Sequence, residues 1–234
     1  MAEANAMPDR PKVCAVISDG PVDCARKAIL QAGSEGARLV ELRMDHISRK
    51  PQDAAELVGF CHENGISCIV TYRDKAEGGL FEGSGSEKAE LFRAAIEAGA
   101  DYVDAEIRHE EAISAVLALA RKKGCKLIAS WHDFSGAQPP METMIPVLHR
   151  QGMFADIGKI AFYLDSRTAV DWLLSQAKSY GLPLIVSPMG EGATLELRAY
   201  CVRQGSPFAY GYVGRPAAPG MPSFSELKRE LDPH

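Results

Sequence analysis

The sequence predicts an α/β protein built as a single (β/α)8 TIM barrel. Three observations predict it. Eight short runs rich in Val, Ile, Leu and aromatic residues recur along the 234-residue chain, separated by segments of helical periodicity. Each strand-plus-helix unit takes about 25 to 35 residues, the length of a right-handed βαβ crossover, and eight such units close into a barrel. A glycine follows each of the first seven helical segments, at Gly33, Gly65, Gly99, Gly124, Gly152, Gly181 and Gly205, where a left-handed residue ends a helix.

The strands are expected, in order, near 12–18, 38–43, 67–73, 102–107, 126–132, 157–163, 183–189 and 208–213. After the second, Ala54, Leu57, Val58 and Cys61 follow i, i+3, i+4, i+7 spacing. The same spacing recurs at Ile113, Val116, Leu117 and Ala120 and at Val170, Leu173, Leu174 and Ala177. Each stripe is a face that packs onto the sheet. An open doubly wound sheet fits less well. The G-x-G-x-x-G turn that would follow its first strand is replaced by Ser18-Asp19-Gly20-Pro21, so no dinucleotide site is expected. One domain is expected over residues 1–234, with the polar, aperiodic residues 1–10 as a flexible N-terminal extension.

Composition narrows the function. With 46% apolar residues the chain can bury a full core. No apolar run approaches the roughly 20 residues of a membrane helix, and Met1 to Arg10 lack the apolar segment of a signal peptide. These features predict a soluble, unprocessed cytoplasmic protein with no membrane partner. A formal net charge of -5 argues against a nucleic-acid surface and leaves a small-molecule partner. The six cysteines show no C-x-x-C spacing and read as reduced core residues. The histidines are scattered without H-E-x-x-H spacing, so neither a metal site nor a cofactor is expected.

In a (β/α)8 barrel the chemistry sits at the carboxyl ends of the strands. There the sequence places Glu41 and Arg43, Arg73 followed by Glu77, Asp104 and Glu106, His132, and Lys159. Alternation sends Glu41 and Arg43 to one side of their strand, and Asp104 and Glu106 likewise. Charges facing the helix layer are costly, which favours the barrel interior. Lys159 interrupts the apolar strand 157–163. It is either an amine nucleophile, made reactive by desolvation and by the nearby Arg43 and Arg73, or a structural lysine paired with Glu106 or Asp104. His132 ends the neighbouring strand, where an imidazole moves protons near neutral pH, and Glu77 either orients it or is a solvated loop residue. Arg198 and Arg215 lie in presumed loops at the same rim, suited to a carboxylate or to surface salt bridges. Glycine-rich stretches at 78–85 and 214–222 occupy the positions of mobile barrel loops.

These segments together resemble type I 3-dehydroquinate dehydratase, the Schiff-base family of the shikimate pathway in aromatic amino-acid biosynthesis. The motifs are Val40-Glu41-Leu42-Arg43-Met44-Asp45, Thr71-Tyr72-Arg73 with Glu77-Gly78-Gly79, Tyr102-Val103-Asp104-Ala105-Glu106, Ser130-Trp131-His132-Asp133-Phe134 and Asp156-Ile157-Gly158-Lys159-Ile160-Ala161. The resemblance implies a cofactor-free lyase. Lys159 condenses with the C3 ketone of 3-dehydroquinate, His132 takes a C2 proton and the C1 hydroxyl leaves as water, giving 3-dehydroshikimate. It implies Glu77 as support for His132, and Glu41, Arg43, Arg73 and Met189 as pocket residues. It also implies a possible homodimer. Asp104 and Glu106 match the family motif without an assigned role.

The last third departs from the family pattern. The arginine that grips the substrate carboxylate usually follows Ser or Thr, and the candidate here, Arg198, stands one residue further on. The loop after the eighth strand reads Ala217-Ala218-Pro219-Gly220-Met221 where the family has Ser-Ala-Pro-Gly-Gln. Two polar contacts, worth about 1 to 3 kcal/mol each, are thereby missing, with Arg215 or Ser223 as possible substitutes. Three alternatives follow: a Schiff-base lyase of the same fold for another hydroxylated keto acid, a non-catalytic barrel, and a phosphate-binding sugar enzyme using Gly190, Gly192 and Gly214.

Overall fold

The computed structural model describes residues 12–216 and 220–232. Its strands are β1 (Val13–Ile17), β2 (Leu39–Arg43), β3 (Ser67–Thr71), β4 (Tyr102–Glu106), β5 (Lys126–His132), β6 (Ile157–Tyr163), β7 (Leu184–Met189) and β8 (Ala209–Tyr212). They form one parallel sheet in the order β7-β6-β5-β4-β3-β2-β1-β8, a nearly closed (β/α)8 barrel. The helices are α1 (Val22–Ser34), α2 (Met44–Ile47), α3 (Pro51–Glu63), α4 (Gly85–Glu97), α5 (Glu110–Lys123), α6 (Met144–Gly152), α7 (Arg167–Ser179), α8 (Leu195–Arg203) and α9 (Phe224–Leu231). Among the described residues no helix is long and apolar enough to cross a membrane.

Both faces of each strand are buried, as a parallel sheet requires. Outward residues such as Val40, Leu42, Val70 and Val103 pack beneath the helices with Leu57, Val58 and Phe92. Inward residues alternate with them and stack in layers. The lower layer is apolar, built from Leu39, Ile69, Ile128, Ile157 and Ile185. The next inward residue along five of the strands is polar: Glu41, Thr71, Ser130, Lys159 and Ser187.

Helix ends follow side-chain chemistry. Ser84 with Glu87 and Ser223 with Glu226 form capping boxes that start α4 and α9. The expected glycine stops at Gly65, Gly99, Gly124, Gly181 and Gly205 have positive φ. Gly33 and Gly152 do not: each stays inside the last turn of α1 or α6, and Gly36 makes the left-handed exit after α1. The loop after β3 is shorter than its glycines suggest, because α4 begins at Gly85 and a single 3-10 turn, capped by Asp74, covers Lys75–Glu77. Residues 1–10 and Ala217, Ala218 and Pro219, to which the sequence assigned an extension and part of a closing loop, lie outside the described residues.

β7 and β8 stand at opposite ends of the ladder order, and a side chain ties the segment before β8 to β7. The Ser206 hydroxyl accepts from the Val186 N–H and donates to the Leu184 carbonyl, both at 3.0 Å. It is buried, so removing it orphans both groups. Ser206→Ala is expected to cost about 1 to 3 kcal/mol, read as a lower urea midpoint at unchanged m-value.

Candidate active site

Above its apolar layer the interior becomes a network of charge. Lys159, 5% exposed, donates to Asp104 Oδ2 at 2.8 Å and to Glu41 Oε1 at 3.5 Å. Its Nζ lies 4.1 Å from the centre of the Tyr210 ring. The other Asp104 oxygen, Oδ1, takes the Ser130 hydroxyl at 2.6 Å and the Arg73 guanidinium at 2.8 Å. Arg73 also reaches Glu106 Oε1 at 2.9 Å, and Lys88 donates to Glu106 Oε2 at 2.6 Å. Three carboxylates thus face three basic side chains where water has little access. Burial alone pushes Asp104 upward, but Arg73 and Lys159 outweigh it and hold the carboxyl well below its usual range.

Gly158, just before Lys159, has a packing reason. The buried Gln151 of α6 donates to the carbonyls of Ala129 and Lys159, at 3.0 and 2.9 Å, tying β5 to β6. A Cβ on Gly158 would sit 2.8 Å from Gln151 Oε1. The small residue therefore admits the clamp that fixes the Lys159 backbone.

His132 pairs with Ala161, two residues beyond the Ser130–Lys159 pair of the β5–β6 ladder. Glu77 Oε2 accepts from the His132 backbone N–H at 3.1 Å and lies 2.9 Å from Nδ1. With the ring proton on Nδ1, the Nε2 lone pair is free. Burial, reinforced by Arg73 and Lys159, pushes His132 well below its ordinary value, so the imidazole is neutral at pH 7. Burial pushes Glu77 up to about 8. Glu77 is only 4% exposed, so it is no solvated loop residue; the 3-10 turn over Lys75–Glu77 carries it inward.

Glu41, Arg43, Arg73, Glu77, His132, Lys159, Met189 and Arg198 all line one cavity, joined by Gly78, Phe134, Ala161, Ser187, Tyr210 and Met221. Arg43 is not a free fork, because its Nε and a terminal nitrogen bind both Asp45 oxygens at 2.9 and 2.8 Å. Asp45 in turn accepts the Leu80 N–H at 3.1 Å, which fastens the loop after β3. Arg198 is not on a loop but in the first turn of α8, whose cap is Thr194, and it is 5% exposed. Its Nε reaches the Ala193 carbonyl at 3.3 Å, and among the described residues it has no carboxylate partner. Burial lowers it to about 10, so it stays charged and unneutralised beside the cavity.

Three expectations are corrected. Arg215 is a surface side chain, 89% exposed and 4.0 Å from Asp19, and does not line the cavity. Ser223 is spent on capping α9. The glycines after β7 and β8 have packing roles: a Cβ on Gly192 would meet Asp165 and one on Gly214 would meet Asp19, both at 2.3 Å. Carboxylates there oppose a phosphate site. The sequence reading also missed Lys88, although Lys88, Leu91, Phe92, Ala95 and Ile96 form one buried stripe of α4. A lysine on an apolar stripe was the available signal. Tyr210 and Thr71 carried no such signal, because apolar or hydroxyl residues inside strands are ordinary.

Comparisons with known proteins agree in one direction. The family model for type I 3-dehydroquinase matches residues 13–232. A 3-dehydroquinate dehydratase of Methanocella arvoryzae is 31% identical over 224 residues, covering 94% of this chain and 95% of the relative. The crystal structure of a type I 3-dehydroquinate dehydratase from Clostridium difficile, described as carrying covalently modified comenic acid, is 26% identical. It superposes with a TM-score of 0.81 over 95% of this chain and 91% of that one. The Geobacillus kaustophilus 3-dehydroquinate dehydratase structure, 24% identical, shares the fold at a TM-score of 0.81 over 94% of this chain and 90% of its own.

The network makes a stability prediction. Lys88→Met keeps the stem of the side chain but leaves Glu106 short of one counter-charge in a dry site. Breaking one partner of a buried pair costs about 3 to 5 kcal/mol, to be read by urea unfolding; a loss under about 1 kcal/mol would mean that Arg73 alone suffices.

Proposed function

The chain belongs to the type I 3-dehydroquinase family, and from that premise we propose that it dehydrates 3-dehydroquinate to 3-dehydroshikimate through an imine on Lys159, with His132 as the base. The observation that carries the reading is one cavity holding a buried lysine beside a histidine whose Nδ1 lies 2.9 Å from Glu77.

The chemistry follows from these groups. The Lys159 amine adds to the C3 ketone and water leaves, forming the imine. Once protonated, the imine draws electrons from the neighbouring C2–H bond and acidifies it. His132 Nε2 takes the C2 proton. The resulting enamine expels the C1 hydroxyl, which leaves as water with the proton that His132 returns. Hydrolysis of the imine then frees the product ketone and the amine. Asp104 and Glu41, beside Nζ, stabilise the cationic imine without forming bonds to substrate. Arg198, the unneutralised guanidinium of the cavity, binds the substrate carboxylate. Glu41 and Met189 shape the pocket. Arg43 and Arg73, both held by carboxylates, order the loop after β3 and the Lys159 network respectively.

Four measurements test this. Borohydride added during turnover should fix the substrate to Lys159 as a mass increase on the peptide that contains it, and Lys159→Ala should show neither adduct nor product; turnover by Lys159→Ala would sink the imine reading. Arg198→Met should raise KM about 10- to 100-fold, as expected for losing a charged hydrogen bond of about 1.5 to 3 kcal/mol, with a smaller change in kcat. For pH, the working base is neutral His132, and its folded value lies below 6.5. The acid limb of kcat/KM is therefore expected below pH 6.5, and His132→Ala should lose about 10²- to 10⁴-fold in kcat. A limb centred above 6.5 would assign the base to another group.

A further inference from the structure

The end of the barrel opposite the cavity holds a second constellation that the dehydratase reaction does not use. His62, in the last turn of α3, Cys68, the second residue of β3, and Asp101, just before β4, bring an imidazole nitrogen, a thiol sulfur and a carboxylate oxygen within 4.8 Å of one another. The His62 Nε2 atom is already 3.0 Å from Asp101 Oδ2.

We propose that His62, Cys68 and Asp101, with solvent water as fourth ligand, form a binding site for a zinc-class divalent cation at the amino-terminal end of the barrel. A thiolate, an imidazole and a carboxylate, completed by water, are donors that zinc takes tetrahedrally, with bonds of about 2.0 to 2.3 Å. Such bonds set neighbouring donor atoms about 3.3 to 3.8 Å apart, so the donors need only a small inward shift of side chains. Asp101 is oriented from behind, because Oδ2 also accepts the Cys68 N–H at 2.8 Å, as ligating carboxylates commonly are. His62 and Asp101 have side chains 42% and 33% exposed, giving an ion a path from solvent to the buried Cys68 thiol. On binding, the ion displaces the thiol proton of Cys68 to solvent and takes the place of the His62–Asp101 hydrogen bond. Local sequence does not reveal the site: positions 62, 68 and 101 match no short ligand spacing, and only the pairing of β3 with β4 brings Asp101 to Cys68.

The test uses Co²⁺ and Zn²⁺ on the full chain after chelator treatment. Co²⁺ should bind one per chain and give the near-ultraviolet thiolate charge-transfer band with the visible bands of a tetrahedral ion, and Zn²⁺ should abolish both. His62→Gln, a change at an exposed position, should weaken Zn²⁺ binding at least tenfold in competition with a chromophoric chelator while leaving dehydratase activity at the wild-type level. Cys68→Ser should remove the charge-transfer band. Cys24→Ser, which removes the one exposed thiol among the described residues, should change nothing. No stoichiometric band in the wild type, or a band kept by His62→Gln and lost with Cys24→Ser, would overturn the site. His62 and Asp101 would then be a surface ion pair.

Discussion

The ion pair between Lys159 and Asp104, 2.8 Å apart, is the interaction on which the upper half of the barrel depends. A lysine inside a closed sheet has no water to hold its charge, so a partner is obligatory. Asp104 in turn must be kept ionised against its own burial, which takes Arg73. Lys159 and Arg73 together carry more positive charge than Asp104 offsets, and Glu106 and then Lys88 extend the series outward to α4. Each charge creates the need for the next, and the series stops only at the helix layer. The two readings of Lys159 open from the sequence, structural pairing and nucleophile, are therefore compatible: the pairing holds the amine where chemistry can use it.

This network explains the division of the interior into layers. The apolar lower layer of Leu39, Ile69, Ile128, Ile157 and Ile185 seals the barrel beneath the charges and supplies the low-dielectric floor that strengthens them. Alternation along the strands does the sorting. Moving two residues along β6, from Ile157 to Lys159, passes from sealed core to the charged layer without changing face.

The sequence made most of this legible because barrel strands advertise themselves. Eight apolar runs predicted the strands to within two residues at either end, since a strand buried on both faces leaves little ambiguity of pattern. Glu41, Arg73 and Lys159 stood out because charge inside such runs is rare. What stayed hidden had a physical reason each time. Lys88 acts from the helix layer, so no strand-end rule reaches it. Arg198 looked like a loop residue because Thr194 starts α8 earlier than the surrounding glycines suggest. The His62, Cys68 and Asp101 cluster joins residues up to 39 positions apart, a distance only the sheet can close. Glycine positions misled where a helix ran on through them, as at Gly33 and Gly152, because glycine permits a left-handed exit without requiring one.

The pair of Glu77 and His132 carries the last step of the argument. Burial opposes charge on both, raising the acid to about 8 and lowering the base. In the proposed reaction this suits a base that must accept a proton and then give it back. As His132 takes the C2 proton, its new charge sits 2.9 Å from Glu77 Oε2, and that charge favours the ionised form of Glu77. A carboxylate at that distance stabilises the imidazolium until the leaving water takes the proton away. The 3-10 turn Lys75–Glu77, capped by Asp74 and ended by left-handed Gly78, is the local structure that puts a titratable carboxyl at that spot.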